Sequence, residues 1–330
     1  MKEFDPSRGL DIQSSVPETT VALTKVGITD VERIIRLRSP QGRDTLFPAK
    51  IDLYVHLDAT KAGVHMSRFI KNMEDISVEI SSEAAPTIET FAERMALAVA
   101  QTQGAVRAEA RITAQLPVTR RAPVSQMPAE MLYKFIGNAV SDGRTTRKAI
   151  GVEVTGLTAC PCSREMTAEY ARQVLTEKGY TAEQAEEITA ILPLAAHNQR
   201  GTGTLIVGTE QTLSAEKLVE IIENSMSSEI YPLLKRPDEF HVVTKAHMNP
   251  RFVEDVVREI IKNVIAVLPG LSDDTFIKVT QVNLESIHSH SAYAERCGLL
   301  GKMRAEAAGE NAAAFPDIIS LDAWMDNQLR

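Results

Sequence analysis

Residues 47–58 read FPAKIDLYVHLD. Apolar or small side chains take every second position from Phe47 to Leu57, and polar or amphipathic side chains take most of the positions between them. Because successive side chains of a strand point to opposite faces, this pattern predicts a strand half-buried in an antiparallel sheet.

A second alternating stretch follows a predicted helix at Pro86–Gln101. Its apolar positions would form one buried face: Val106, Ala108, Ala110, Ile112, Ala114 and Leu116. Most of these side chains are small, so helices are expected to pack closely against this sheet. The first half of the chain therefore combines a sheet with helices that cover it.

The second half repeats this order of elements. Strands are predicted at about 148–157, 203–208 and 276–283, with helices at about 214–226 and 249–268. In the longer helix, Asn249 is expected to be the N-cap and Pro250 the first helical residue. The order predicts an α+β protein and leaves internal duplication as a hypothesis.

The chain is expected to divide into four parts. Residues 1–18 are polar and predict a flexible arm, residues 19–147 a first unit, and residues 148–300 a second unit. The segment 163–195 within the second unit is rich in helix-forming residues and predicts a helical insert. Residues 301–330 form a C-terminal tail with a predicted helix at Ala305–Ala314.

The composition excludes several classes of protein. The chain has 330 residues and a formal net charge of −8, which argues against broad nucleic-acid binding. It has three cysteines, an odd number that predicts no disulfide framework and fits a reducing cytoplasm. It has no signal-peptide pattern and no apolar run of ~18 residues, so no membrane span is expected.

The two closely spaced cysteines suggest a metal-binding or catalytic site. Cys160-Pro161-Cys162 follows a predicted strand, and His197-Asn198-Gln199-Arg200-Gly201 follows the insert. Thiolate and imidazole together are ligands of transition metals and are also a nucleophile–base pair. Each motif has a plain alternative: cysteines are often small buried side chains, and a polar run before a strand is often a loop.

Other polar groups are less specific. Lys235-Arg236-Pro237-Asp238-Glu239 is either a solvated linker or a loop that binds phosphate and metal. Glu254 either favours a helix dipole or binds paired N–H donors. His288-Ser289-His290 is either an exposed strand end or an acid/base or ligand pair. The glycine-rich patterns of Rossmann and P-loop nucleotide sites are absent.

Taken together, six segments resemble one family over about residues 10–300. The segments are Val64–Arg68, Gly156–Ser163, His197–Gly201, Leu233–Arg236 with Asp238-Glu239, Asn249–Asp255 and Glu285–His288. They resemble the metal-dependent GTP cyclohydrolases of the tunnelling fold, called type IV in archaea and IB in bacteria. One departure is Ala196, where archaeal members carry a threonine.

The resemblance implies a fold and an assembly. Each chain would hold two tandem tunnelling-fold units, each an antiparallel sheet backed by two helices. Four chains would form a homotetramer with active sites at subunit interfaces. The long connection between Cys162 and His197 resembles the archaeal branch, which uses Fe(II) and makes 7,8-dihydroneopterin 2′,3′-cyclic phosphate, a methanopterin precursor.

The resemblance also implies roles for individual residues. Cys160, His197 and Glu239 would bind a divalent metal, with Fe(II) as the first choice and Mn(II) or Zn(II) as alternatives. Cys160 and His288 would be catalytic, with His288 either a further ligand or an acid/base. A metal-activated water would attack C8 of the guanine of GTP, and formate would leave.

Substrate contacts are implied in the same way. Glu254 would accept hydrogen bonds from both N1–H and the 2-amino group of guanine, a pattern that adenine cannot match. The triphosphate would contact four basic side chains: Lys235, Arg236, Arg200 and Arg68.

Three rival functions stay open. The bacterial branch would instead give 7,8-dihydroneopterin triphosphate for folate. A tunnelling-fold nitrile reductase would use Cys160 as a nucleophile towards a nitrile, with hydride from NADPH and no metal. A non-catalytic oligomer that binds metal or pterin would keep the ligands without turnover.

Overall fold

In a computed structural model of the chain, the alternating stretch lies in strand β2 (Asp44–Leu57). Its predicted inner face is buried from Ala49 to Leu57, as the alternation predicted. Strand β2 pairs antiparallel with β1 (Leu23–Arg38) and with β3 (Ala108–Arg121). The structure describes residues 11–38, 44–82, 87–310 and 318–326.

The chain divides into two compact units. One comprises Met1–Ala114, Ile136–Ala149 and Met325–Arg330, and the other comprises Gln115–Phe135 and Ile150–Trp324. Strands β3, β4 (Pro128–Ser141) and β5 (Thr146–Ala159) contribute residues to both units.

In the first unit, two helices cover the sheet. They are α1 (Met66–Ser82) and α2 (Ile88–Gln103), which contact each other and contact β1 and β2, respectively. The Thr87 hydroxyl caps α2, and Gly104 ends it in the left-handed region, where a residue without Cβ is favoured. Val106, expected on the inner face of the sheet, is instead 78% exposed because β3 begins only at Ala108.

In the second unit, β6 (Asn198–Gly208), β8 (Phe276–Asn283) and β9 (Ala292–Leu299) pair antiparallel. The short strand β7 (Ser228–Glu229) pairs with β5. Helices α5 (Ala215–Glu223) and α7 (Val253–Val267) pack on this sheet through apolar stripes. The predicted α+β class, in which helices pack on antiparallel strands, is confirmed.

The predicted start of the long helix was wrong. Asn249 is the C-cap of an additional helix, α6 (Arg236–Met248), and α7 begins four residues later at Val253. A residue before proline disfavours the helical conformation, and the Asn249 amide instead donates to the carbonyl oxygen of Met226 at 3.2 Å. The Asp255 carboxylate caps α7 by accepting the Phe252 N–H at 3.0 Å.

The insert forms two helices where the sequence predicted them, α3 (Pro161–Glu177) and α4 (Ala182–Ile191). At the C-terminus the structure has α8 (Leu300–Ala307) and α9 (Leu321–Asp326). The predicted helix at 305–314 therefore overlaps only the end of α8, and residues 311–314 lie outside the described residues, as do residues 1–10 of the predicted arm. Within the described ranges, no helix has the length and apolar character needed to cross a membrane.

Candidate metal and substrate site

Cys160 and His197 lie side by side where β5 ends and β6 begins. The Cys160 backbone N–H donates to the His197 carbonyl oxygen at 3.0 Å. The His197 N–H in turn donates to the hydroxyl of Ser163, in the first turn of α3, at 3.1 Å. The chain thus leaves the sheet at Cys160, forms the helical insert, and returns beside its starting point.

The imidazole of His197 is held from behind by two polar side chains. Its Nδ1 lies 3.0 Å from Oε1 of Gln199 and 3.7 Å from Oε2 of Glu285. Gln199 donates through Nε2 to the Thr158 hydroxyl at 3.1 Å and to Glu285 at 3.5 Å. Since both neighbours of Nδ1 are acceptors, they favour the tautomer with the proton on Nδ1, which leaves the Nε2 lone pair for a metal.

Two further histidines lie in the loop after β8. The His288 ring stands edge-on to the His197 ring, with centroids 6.2 Å apart, and stacks on His290 with centroids 5.2 Å apart. Both loop histidines are exposed. The structure therefore brings the predicted acid/base residue His288 to the Cys160–His197 pair.

The start of α7 is joined to the same strand end. The Arg251 N–H donates to the carbonyl oxygen of Ala159 at 2.9 Å, one residue before Cys160. The Ala159 N–H donates to the Ser227 hydroxyl at 3.1 Å. Glu254 lies in the first turn of α7 and is exposed, so its carboxylate is available to a ligand three residues after Arg251.

Glu239 is not part of this group within one chain. It is exposed in the first turn of α6. His247 lies two turns further along that helix, about 12 Å along the axis, and its Nε2 lies 3.3 Å from the carbonyl oxygen of Ala196. Among the residues that the structure describes, no three His, Cys, Asp or Glu side chains lie close enough to hold one ion.

The four basic candidates are all exposed. Lys235 and Arg236 begin α6, and Arg200 lies on β6. Arg68 belongs to the first unit, where it lines a cavity of about 120 Å³ together with His56, Lys61 and His65. The other three cations, Lys235, Arg236 and Arg200, lie in the same unit as Cys160.

The sequence assigned no role to three residues that organise the site. Gln199 and Glu285 orient His197, and Ser163 hydrogen-bonds its backbone. Of the three, only Gln199 could have been predicted from the local sequence, because a residue two positions after His197 on a strand points to the same face.

The donors present suit a divalent transition metal. Cys160 offers a half-buried thiol and His197 an oriented imidazole, and both are borderline-to-soft ligands. A carboxylate or carbonyl oxygen behind a metal-binding histidine is the usual means of fixing its ring. These residues fit a metal site that needs at least one further ligand from beyond this group.

The fold places the chain in a class of proteins. Its structure is similar to the crystal structure of uricase from Arthrobacter globiformis, with a TM-score of 0.51 and 11% identity, covering 85% of this chain and 96% of that one. Uricase has the tunnelling fold, and so does this chain.

The family follows from the sequence comparisons. A family model described as type I GTP cyclohydrolase folE2 matches residues 10–294, and the chain belongs to this family. It is 37% identical to GTP cyclohydrolase MptA of Methanothermobacter thermautotrophicus over 310 residues, covering 92% of this chain and 97% of that protein. It is 36% identical to GTP cyclohydrolase MptA of Methanococcus maripaludis over 305 residues, covering 90% and 97%. The predicted family is thereby confirmed, on its archaeal side.

Proposed function

We propose that this GTP cyclohydrolase opens the guanine ring of GTP at C8, releases formate, and forms 7,8-dihydroneopterin 2′,3′-cyclic phosphate for methanopterin synthesis. Two observations support this product over the triphosphate. The relatives at 36–37% identity carry the name MptA, and the helical insert between Cys160 and His197 is present as α3 and α4.

The observation that carries the proposal is the hydrogen-bonded pair Cys160–His197 with Gln199 and Glu285 behind it. The backbone bond holds the two residues in register, and the acceptor oxygens of Gln199 and Glu285 favour one imidazole tautomer. We infer from this arrangement that the Cys160 sulfur and the Nε2 of His197 would bind one ion.

We propose that the ion is divalent, with Fe(II) as the first choice and Mn(II) or Zn(II) as alternatives. When bound, it would supply Lewis acidity and lower the pKa of water at the site towards neutrality. His288 would either move a proton at the guanine ring or add a ligand, and its ring centroid 6.2 Å from that of His197 supports this role.

The assembly we propose is a homotetramer with sites at subunit interfaces. One chain does not complete the ligand set among its described residues, so Glu239 would reach the pair of another copy. Glu239 lies beside Phe240 and Val243, which are 72% and 55% exposed. Exposed large apolar side chains around a polar group are typical of an interaction surface.

Recognition of GTP would use both ends of the nucleotide. Glu254 would accept the paired N–H groups of guanine, and a ligand that lacks them would leave this carboxylate unpaired. Lys235, Arg236, Arg200 and Arg68 would contact the phosphates and supply the positive charge that a chain of net charge −8 lacks overall.

The test is anaerobic incubation of the Fe(II)-loaded protein with GTP, with formate and the phosphate state of the pterin as readouts. Formate with a cyclic phosphate supports the proposal. Formate with a triphosphate moves the chain to the folate-type reaction. Tight metal binding without formate favours a non-catalytic role, and NADPH consumption with a nitrile substrate favours the reductase.

A further inference from the structure

One carboxylate next to the proposed ligand Glu239 is fully buried. Asp238 is 0% exposed and accepts four hydrogen bonds. Its Oδ1 accepts the backbone N–H groups of Val124 and Ser125, both at 2.8 Å. Its Oδ2 accepts the Ser125 hydroxyl at 2.7 Å and the Lys235 N–H at 2.9 Å.

These bonds join two distant parts of the second unit. Val124 and Ser125 lie in the turn between β3 and β4, which is closed by the bond from the Ala122 N–H to the Met127 carbonyl oxygen at 3.0 Å. Lys235 is the residue that precedes α6. A single side chain thus connects the β3–β4 turn to the first turn of the helix that carries Lys235, Arg236 and Glu239.

The same position in α7 shows what capping alone requires. Asp255 is also the third residue of its helix and accepts the N–H of the residue before the helix, Phe252, at 3.0 Å. Asp238 has the equivalent bond to Lys235 and three more to the β3–β4 turn. Capping α6 requires only the bond to Lys235, so the three bonds to the β3–β4 turn have another role.

The carboxylate is held in place by donors from both segments, Val124 and Ser125 in the turn and Lys235 before α6. A charged acceptor with four donors is a rigid connection, because each donor would be left unpaired if the carboxylate moved away.

We propose that Asp238 is a positioning residue, which fixes the first turn of α6 on the β3–β4 turn and thereby places Glu239 and Lys235 for metal and phosphate. The inference rests on the proposed function of those two residues. Asp238 itself contacts neither metal nor substrate, since all its oxygen atoms point to protein donors.

The test compares Asp238→Asn with the parent protein. The asparagine has nearly the same shape, but its NH₂ group would face the Lys235 N–H, so one donor loses its acceptor. We expect metal affinity, measured by competition with a chelator, to fall about 10-fold or more, and KM for GTP to rise with a smaller change in kcat. Unchanged metal affinity and KM in a folded Asp238→Asn protein would overturn the proposal.

A matched control is Asp142→Asn. Asp142 also accepts two backbone N–H groups of a turn, those of Arg144 at 2.8 Å and Thr145 at 2.7 Å, between β4 and β5. It has no bond to α6, so its substitution is expected to leave metal affinity and KM unchanged. A loss equal to that of Asp238→Asn would show a general effect of turn loosening and would refute the specific role.

If the Asp238→Asn protein does not fold, variants of Ser125 provide the test. Ser125→Ala removes one of the four donors and is expected to raise KM for GTP about 3-fold, whereas Ser125→Thr keeps the hydroxyl and restores it. An unchanged KM in Ser125→Ala would count against the proposal. Formate release by the parent protein separates this result from a failure of the proposed function, since a parent without turnover would refute the function itself.

Discussion

The backbone N–H of Cys160 donates to the carbonyl oxygen of His197 at 3.0 Å, although 36 residues, mostly helical, lie between the two. This bond lies where β5 ends and its neighbour β6 begins. It keeps Cys160 and His197 adjacent at the end of the sheet, independently of the conformation of the insert.

Cys160→Ala is therefore expected to lose bound metal and to lower formate release from GTP by more than about 100-fold, because even the loss of an orienting partner costs about 10–100-fold. Cys162 is exposed in the first turn of α3. Cys162→Ala is the matched control and is expected to be milder. Metal content and formate release measure both variants, and a fully active Cys160→Ala protein would remove the thiol from the reaction.

Glu285→Gln tests the support behind His197. The glutamine keeps a similar shape but removes the charge that lies 3.7 Å from Nδ1 of His197. We expect metal affinity to fall about 10-fold with the fold intact. Chelator competition and circular dichroism measure the two effects, and parent-like affinity in Glu285→Gln would show that Gln199 alone orients the imidazole.

Glu254→Gln tests guanine recognition. The amide offers one acceptor and one donor where guanine needs two acceptors, so KM for GTP is expected to rise about 100-fold or more while metal content stays the same. Binding of GTP to the metal-loaded protein, measured by calorimetry, checks this. Loss of metal with normal GTP affinity would contradict the anchor role.

Tyr133→Phe tests a buried network outside the site. The Tyr133 hydroxyl donates to Glu223 and accepts from Nε of Arg120 at 2.8 Å. Burial raises the pKa of Glu223, and the Tyr133 hydrogen bond and Arg120 charge offset only part of that effect. Removing the hydroxyl is expected to lower the free energy of unfolding by about 1–3 kcal/mol.

Denaturant unfolding measures this loss, with metal affinity unchanged. The control is Tyr293→Phe, since Tyr293 is 60% exposed and also hydrogen-bonds a carboxylate, Glu295, at 2.6 Å. It is expected to cost less than about 0.5 kcal/mol. Equal losses in the two variants would mean that the burial of the Tyr133 network has no energetic effect.

The acid stability of the chain should depend on Asp238. Its pKa is lowered in the folded protein, so its contribution is complete above the ordinary value near 3.8 and is lost as the pH falls towards the folded pKa. The stability difference between parent and Asp238→Asn should therefore be constant at neutral pH and shrink below about pH 4. Urea unfolding between pH 7 and pH 3 measures it, and a difference that does not shrink would contradict this assignment.

Local patterns predicted much of the fold. The alternation at residues 47–58 identified β2 and its buried face, and strand β8 lies where residues 276–283 predicted it. Such patterns succeed because the side-chain period of a strand or helix is a property of neighbouring residues. A local pattern also produced the wrong prediction at Asn249-Pro250, because these two residue types favour the start of a helix. In the structure Asn249 instead ends α6, and its side chain hydrogen-bonds Met226.

The sequence by itself determined which chemical groups are available: a thiol in a cysteine-poor chain, histidines at strand ends, and a carboxylate beginning a helix. Only the tertiary structure decided which of them meet. It joined Cys160 to His197, placed Glu285 behind the imidazole, buried Asp238, and left Glu239 exposed on α6. The physical reason is that these contacts are hydrogen bonds between residues far apart in the chain, which the pairing of strands creates and no local periodicity encodes.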